Sequence, residues 1–339
     1  MPISSALGSS ALLPGGLGFR NKIINGDFGI NQRGTLTTTS GGTFVFDRWM
    51  QWAADGTSTF SSESFAVGNA ISGQEPIKYA QIITSGQSAV GAQSNIQQRV
   101  EDVRTCAGQQ VVVSFWAKAG SGTPKIAVEI EQNFGSGGSA VVNYYGGFAT
   151  ISTTWARYYV TLTVPSVAGK TIGTSSFMAL NLWVSSGSTN GFRNGSMGIQ
   201  NNTFQFWGVQ LEQNYQPTPF EQRPIGTELA LCQRYYYQYI KGTGQIASGY
   251  YWATNQYEIT VQLPVTMRVG PGLIIAAGTN YYNTREVSIA QISSFSISRS
   301  HPNAVLLYTS SGISGRTAGT AAGLEAVQTQ SSIAFDAEL

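Results

Sequence analysis

Short segments in which apolar and polar residues alternate restrict the fold of this chain more than any other feature. Three of them are QVVVSFWAKA at 110–119, TWARYYVTLTVP at 154–165 and SFMALNLWV at 176–184. Alternation with a period of two is typical of β-strands, because successive side chains of a strand point to opposite faces of its sheet. No long helical period accompanies these segments, so the sequence predicts an all-β protein.

Length and composition indicate how many domains those strands form. The 339 residues exceed what one hydrophobic core usually holds and fit two domains better. Charged residues make up 11% of the chain, less than half of the usual level, while glycine occurs 40 times. This composition favours many short strands joined by tight turns. We therefore expect two β-sandwich domains, the first of them a jelly roll.

The stretch from Phe204 to Tyr239 is predicted to separate the two domains. It begins with a strand that would complete the first core, continues through a crossing punctuated by three prolines, and includes a short helix capped by Thr227. An aromatic strand then opens the second domain. The predicted core residues of the first strand are Phe204, Phe206, Trp207, Val209 and Leu211.

Several strings in this sequence resemble structural proteins of tailed bacteriophages, especially fibre-like and tail-associated proteins. The strings WGVQLEQ, TPFEQRP and ELALCQRYY resemble a junction found in those proteins, and NKIINGDFGINQRG with TFVFDRWMQW resembles their opening. Further strings, SFWAKA, TTWARYYVTLTVP and FWGVQLEQ, resemble strands of carbohydrate-binding-module-like sandwiches in phage fibres. The resemblance implies a virion protein that forms a homotrimer and is assembled in the host cytoplasm.

The predicted organisation has three parts: an extended anchoring arm at 1–20, a jelly-roll domain at 21–224 and a smaller β-sandwich at 225–339. The arm has no basic residue before Arg20, so it is not a secretory signal. Its large apolar side chains would be costly to expose, so we expect it to dock on another virion protein; a disordered terminus is the alternative. The anchoring residues are Leu7, Leu12, Leu13, Leu17 and Phe19.

The alternating strands of the first domain carry aromatic and polar residues on the side opposite their predicted core positions. With the resemblance to carbohydrate-binding modules, this face suggests a platform where rings stack on sugar faces and polar groups bind hydroxyls. The same face could instead be covered by a second layer, by loops or by a neighbouring subunit. The candidate glycan-binding residues are Trp116, Arg157, Tyr159, Asn181 and Trp183.

Five carboxylates in the sequence are candidates for a metal site or for a catalytic pair. Asp27, Asp47 and Asp55 could contribute to a structural calcium site, although their spacing does not demand one. In KIAVEIEQ, Glu129 and Glu131 share one face of a strand, which we interpret as a solvated face and not as a glycosidase pair. No catalytic residue and no cofactor are predicted.

The remaining composition excludes several function classes. The single histidine, His301, cannot build a histidine metal cluster, and the two cysteines, Cys106 and Cys232, are expected to be free and buried. A net charge of +2 without clustered Lys or Arg argues against nucleic acid as a partner. No apolar run approaches the ~18 residues of a membrane span.

Three hypotheses follow from the sequence. The first is a non-enzymatic tail-fibre or tail-associated protein that attaches to the virion through its arm and presents a host-glycan-binding surface. The second is a head fibre, decoration or connector protein whose aromatic faces contact other subunits. The third, much less favoured, is a glycan depolymerase.

Overall fold

A computed structural model describes residues 19–34, 41–71 and 73–339 of the chain. Nearly all regular structure within these ranges is antiparallel β-sheet, so the predicted all-β class is confirmed. Two compact units are present. Unit 1 comprises 1–29, 35–45 and 49–222, and unit 2 comprises 30–34, 46–48 and 223–339. The predicted boundary at 224/225 lies two residues beyond the main division, and the prediction placed 30–34 and 46–48 in the first domain.

Unit 1 is built from two sheets, and strands that follow one another in the chain are distributed between both sheets. The six-stranded sheet has the order β1-β2-β5-β10-β7-β8, and the five-stranded sheet has the order β3-β4-β11-β6-β9. The strands are β1 Thr43–Phe46, β2 Trp49–Ala54, β3 Thr57–Ser64, β4 Lys78–Ser85, β5 Gln93–Glu101, β6 Gln110–Ala119, β7 Lys125–Asn133, β8 Val142–Thr150, β9 Ala156–Thr163, β10 Phe177–Ser186 and β11 Thr203–Glu212. A 3₁₀ turn at Ser188–Asn190 leads into a four-residue helix, α1 Gly191–Asn194.

Apolar side chains at alternate strand positions form much of the core of unit 1, and β10 is buried along its whole length on both faces. Phe115, Val128, Ile130 and Leu180 are all fully buried. The five predicted core residues of the strand from Phe204 are buried as well, and this strand, β11, lies in the middle of its sheet between β4 and β6. The predicted role of β11 as a core strand is therefore confirmed. Its central position removes its backbone groups from the sheet edge.

The segment at 21–34 contains a turn at Asn25 and Gly26. Asn25 has a positive φ of 56°, and no strand flanks the turn within the described residues. Asn25 instead accepts a hydrogen bond from Trp49 Nε1 through its backbone carbonyl, at 3.0 Å. Phe28 packs on the Trp49 ring with centroids 5.3 Å apart. The turn thus serves to seat two aromatic rings in the core.

Unit 2 is also a sandwich, with a seven-stranded sheet ordered β17-β16-β20-β13-β14-β19-β18 and a three-stranded sheet ordered β12-β21-β15. One apolar cluster joins the inner faces of both sheets, including Tyr251, Tyr257, Leu307 and Phe335. The elements are α2 Ile225–Gln233, β12 Tyr236–Lys241, β13 Gly244–Ala253, β14 Gln256–Gln262, β15 Gly272–Ala276, β16 Tyr282–Arg285, β17 Ile289–Ile292, β18 Ser296–His301, β19 Ala304–Thr309, β20 Ala321–Ala326 and β21 Ser332–Asp336.

One detail of unit 2 was predicted incorrectly. Helix α2 begins after Pro224 without a side-chain cap, so Thr227 lies inside the helix and does not cap it. Strand β14 ends at Gln262, before Pro264, and lies between β13 and β19. The last strand ends at Asp336.

Short segments from the N-terminal part of the chain belong to unit 2 through charged contacts. Arg33 pairs with Asp336 at 3.3 Å and with Glu338 at 3.2 Å. Arg48 also pairs with Glu338, and its guanidinium lies 3.4 Å from the centroid of the Tyr235 ring. Because Arg48 and Glu338 are almost completely buried, removing either partner would leave an uncompensated charge.

Candidate functional site

A polar cleft lies on the outer face of the six-stranded sheet of unit 1. Its volume is about 510 Å³. Side chains from β2, β5, β7 and β10, from the start of β8 and from α1 line it. The lining residues are Trp52, Gln93, Asn95, Gln97, Arg99, Glu131, Asn133, Val141, Asn143, Phe177 and Arg193.

Strand register explains why polar side chains meet at the cleft floor. Asn181 on β10 lies directly opposite Gln97 on β5 and Glu129 on β7. Directly paired residues share a face of an antiparallel sheet, so a row of three polar side chains crosses the three central strands. Trp52 on β2 pairs in the same way with Asn95. One aromatic ring therefore borders the polar rows.

The amides of the floor form a connected hydrogen-bond network. Asn95 Nδ2 and Gln97 Nε2 both donate to Asn181 Oδ1, each at 3.1 Å. Gln93 Nε2 donates to Asn95 Oδ1 at 2.9 Å, and Trp52 Nε1 lies 3.4 Å from Gln97 Oε1. These bonds fix the orientation of the amide groups, so the floor is preorganised before any ligand arrives.

Two buried polar atoms of this face have no hydrogen-bond partner among the described residues. They are Asn181 Nδ2, a donor, and Asn143 Oδ1, an acceptor. Leaving a buried polar group unpaired costs about 1–3 kcal/mol. Asn143 lines the cleft, whereas Asn181 is fully buried beneath it, so of these two residues only Asn143 borders the space that a ligand would occupy.

A charged cluster closes one end of the cleft. Arg193 Nε donates to Glu129 Oε1 at 2.7 Å, and Arg193 Nη2 lies 3.2 Å from Glu131 Oε2. Trp183 Nε1 donates to Glu129 Oε2 at 2.7 Å. Burial raises the pKa of the Glu129 carboxyl, and the bonds from Arg193 and Trp183 oppose that rise. The expected solvated face at Glu129 and Glu131 is therefore wrong, since Glu129 is fully buried.

Two aromatic rings provide apolar surface at separate positions of the cleft. Trp52 is half-buried and lies opposite Asn95 on β5. Phe177 lies opposite Glu101, further along β5, and the central carbon of the Arg99 guanidinium is 4.6 Å from its ring centroid. Ring faces beside fixed amides suit a ligand that presents both C–H surfaces and hydroxyl groups.

The five predicted glycan-binding residues do not lie on one face. Asn181 and Trp183 belong to β10 in the six-stranded sheet, whereas Trp116, Arg157 and Tyr159 belong to β6 and β9 in the five-stranded sheet. The prediction that these five residues form one platform is therefore wrong. None of the five lines the cleft, but the buried Asn181 accepts hydrogen bonds from two residues that do, Asn95 and Gln97. Trp183 is fully buried within its own chain, where it supports Glu129.

The outer face of the five-stranded sheet contacts the segment that follows β11. Arg157 Nη2 donates to Ser114 Oγ at 3.0 Å and to the backbone carbonyl of Thr218. Phe220 from the same segment packs on Trp207, with ring centroids 5.2 Å apart. Tyr159 is 56% exposed on this side. Arg157 thus holds the segment after β11 against this face. Covering by loops was one of the alternatives to a glycan platform that the sequence left open.

The remaining candidate residues have local structural roles or lie outside the described ranges. Asp27 and Asp55 accept backbone hydrogen bonds in turns, and Asp47 accepts two bonds from Gln32. No cluster of three or more acidic, histidine or cysteine side chains that could hold a metal ion occurs among the described residues. In the same ranges, no helix is long and apolar enough to cross a membrane. Leu7, Leu12, Leu13 and Leu17 are outside the described residues, and Phe19 is 57% exposed with its N–H donated to Glu221.

Sequence reasoning missed most of the cleft. Gln93, Asn95, Gln97 and Arg99 occupy alternate positions of β5, and that spacing alone places them on one strand face. A row of amides on one face of a strand is unusual for a face that only contacts solvent. The alternate spacing of these polar residues was therefore a sequence signal for the cleft. Arg193 was not detectable, because the loop after β10 determines where it lies.

Part of this sequence matches a known protein family. Residues 36–178 match the family described as carbohydrate binding domain, a range that includes Trp52, Asn95, Gln97 and Asn143 but ends before Asn181. This part of the chain, which lies almost entirely in unit 1, is therefore similar to carbohydrate-binding domains. A search among curated proteins found no match.

Several solved structures show remote similarity to the chain. The enzymatically active domain of tailspike protein 4 of Bacteriophage CBA120 is 15% identical with a TM-score of 0.34, and the alignment covers 57% of this chain and 22% of the tailspike chain. A CBM4 structure is 16% identical with a TM-score of 0.32, covering 56% and 98% of the two chains. A sugar-binding protein, so described, from Bacteroides thetaiotaomicron VPI-5482 is 14% identical with a TM-score of 0.35, covering 57% and 100%.

Proposed function

We propose that this chain binds a surface glycan through the cleft of unit 1 and does not cleave it. The observation that carries the proposal is the pair of lining amides, Asn95 and Gln97, which the buried Asn181 holds in place beside the Trp52 ring. Sugars offer hydroxyl groups to such amides and C–H faces to such rings. The cleft volume lies within the range of small-molecule sites.

The geometry of the carboxylates supports binding without catalysis. Glycoside hydrolysis requires two carboxyl groups on opposite sides of the scissile bond. Glu129 and Glu131 both accept bonds from Arg193 Nη2, at 3.1 Å and 3.2 Å, so they converge on one cation from the same side. Glu129 is additionally held by Trp183 and lies beneath the surface. This pair is built as a structural cluster.

The wider role we propose is that of a tail-fibre or tail-associated virion protein of a tailed phage, assembled as a homotrimer. Its support is the resemblance of the junction at 204–239 and of the segment after Asn21 to such proteins. Residues 1–20 would attach the protein to the virion, and unit 1 would present the cleft to a host glycan. A head fibre or decoration protein is the alternative role if no glycan binds.

The first prediction tests the cleft with matched aromatic variants. Trp52→Ala should weaken binding by about tenfold, because it removes one stacking ring worth about 0.5–1.5 kcal/mol together with its buried area. Tyr159→Ala, an exposed aromatic on the other sheet, should leave affinity unchanged. Affinity electrophoresis of the full chain in gels containing lipopolysaccharide, xylan, dextran or mixed-linkage β-glucan measures both.

Three outcomes would contradict the proposal. Loss of binding with Tyr159→Ala but not with Trp52→Ala would move the ligand to the five-stranded sheet. Absence of binding to every polysaccharide tested, including the envelope glycans of the host, would favour the head-fibre alternative. Release of reducing sugar from any of them would show that the protein is an enzyme.

A further inference from the structure

An exposed aromatic pair lies on the seven-stranded sheet of unit 2, outside the region that matches the carbohydrate-binding family. Tyr250 and Trp252 on β13 are 38% and 62% exposed, and Tyr251 between them is fully buried. The two rings therefore share the outer face of the sheet. Their centroids are 6.4 Å apart with an interplanar angle of 66°. Exposing two adjacent large rings on a regular strand is unfavourable unless something covers them.

The strand pairing extends this pair into a row. Tyr250 lies opposite Glu258 on β14, and Glu258 lies opposite Tyr308 on β19. Aromatic rings thus flank a carboxylate across three neighbouring strands. Directly opposed residues in an antiparallel sheet have Cβ atoms about 4.5–5.5 Å apart, so the row is continuous.

Hydrogen bonds within the row fix the orientation of its side chains. Tyr250 Oη donates to Glu258 Oε2 at 3.1 Å, and Gln256 Nε2 donates to Glu258 Oε1 at 2.8 Å. Glu258 is only 6% exposed, so its carboxylate lies beneath the rings. It holds the Tyr250 ring in place, which lowers the ordering cost of binding on the ring.

We propose that this face of unit 2 is a second saccharide-binding platform, formed by Trp252, Tyr250 and Tyr308 around Glu258. Ring faces would stack on the apolar sides of sugar rings, and the partly exposed Gln256 would bind hydroxyl groups, while Glu258 orients Tyr250 and Gln256 from beneath. A protein partner fits less well, because the cores of protein interfaces are depleted of charged residues and here a carboxylate occupies the centre of the row. The proposal is independent of the cleft in unit 1.

The test uses the full-length protein carrying Trp52→Ala, so that the cleft of unit 1 does not mask the second site. In this background, Trp252→Ala should lower the affinity for the best-binding polysaccharide of the same panel by about tenfold. Tyr215→Ala is the matched control, since Tyr215 is 73% exposed in the loop after β11 of unit 1 and should have no effect. Circular dichroism checks that each variant is folded.

Oxidative footprinting gives a second readout that does not depend on a variant. Saturating polysaccharide should reduce the oxidation of Trp252 by about threefold or more, measured on its peptide by mass spectrometry, because a stacked sugar excludes solvent from the ring. The oxidation of Tyr215 should not change. Sedimentation velocity of the wild type and of Trp252→Ala reports the oligomeric state.

The proposal is overturned by any of three results. The first is an unchanged affinity in Trp252→Ala together with an unchanged footprint. The second is protection of Trp252 in the absence of polysaccharide with dissociation of the oligomer in Trp252→Ala, which would make the face a subunit contact. The third is the failure of every polysaccharide to protect Trp252. None of these results bears on the cleft, whose own test uses Trp52.

Discussion

The two outer sheet faces of unit 1 look alike in sequence and differ in structure. Both carry aromatic and polar residues at the positions opposite the core. On the six-stranded sheet, amides of β5 line an open polar cleft and are bonded to the buried Asn181 of β10. On the five-stranded sheet, Arg157 binds the crossing segment at Thr218, and Phe220 packs on Trp207. One face is arranged to receive a ligand, and the other receives the protein's own chain.

This comparison shows that residue type at a strand face does not reveal what covers it. Trp183 and Tyr159 were assigned to the same platform because both are aromatic and both face away from predicted core positions. Trp183 is fully buried and donates to Glu129, whereas Tyr159 is 56% exposed. The difference arises because α1 and its Arg193 cover Glu129 on one sheet. The alternation pattern describes only the strands, so it could not predict this cover.

The largest expected effect is the loss of Trp183. Trp183→Ala should destabilise unit 1 by about 3–5 kcal/mol, because it leaves a cavity and removes the indole donor of buried Glu129. Tyr159→Ala, the exposed aromatic of the other sheet, should change stability by less than about 0.5 kcal/mol. Urea denaturation followed by tryptophan fluorescence measures both, and equal effects of the two substitutions would refute the contrast.

The next effect concerns the covered face. Arg157→Ala should lower the free energy of unfolding by about 1–3 kcal/mol, because the Thr218 carbonyl and the Ser114 hydroxyl both lose the guanidinium donor. Limited proteolysis should then cut the segment at 213–221 faster than in the wild type. Arg104→Ala, whose side chain is largely exposed, is the control. An unchanged cleavage rate would mean that Arg157 does not hold the crossing.

The smallest effect is a pH dependence at the charged end of the cleft. The folded-state pKa of Glu129 is raised above its ordinary value of 4.5 by burial, despite the nearby Arg193 and Trp183 and with Glu131 adding to the rise. The neutral carboxyl therefore favours the folded state, and its contribution is complete below pH 4.5 and falls as the pH rises through the folded pKa.

Glu129→Gln isolates this contribution, since the amide does not titrate. The free energy of unfolding of the wild type, measured relative to Glu129→Gln, should decrease as the pH rises above 4.5. Urea titrations between pH 4 and 8 provide the measurement. A relative stability that increases with pH would mean that the ion pair with Arg193 outweighs the cost of burial.

Much of the fold could be predicted from the sequence, and little of the cleft could. Alternation identified the inward residues of β6, β9 and β10, and the core residues of β11, because a strand must bury one face to be stable. Short strands without strong alternation, such as β16 and β20, were missed. Asn181 was selected among polar neighbours, but the amides of β5 that bind it were not. Their significance depends on which strand lies beside β10.

By itself, the sequence determined the all-β class, the inward-facing residues of the long strands and the crossing after β11, since these follow from local periodicity and from turn-forming residues. The tertiary structure alone decided which outer face stays open and which is covered. Strand order and register bring Gln97, Asn181 and Glu129 into one row although they are far apart in the chain. The physical reason is that a sheet joins strands by backbone hydrogen bonds, which carry no record of side-chain identity, so neighbours across strands are fixed only when the whole sheet forms.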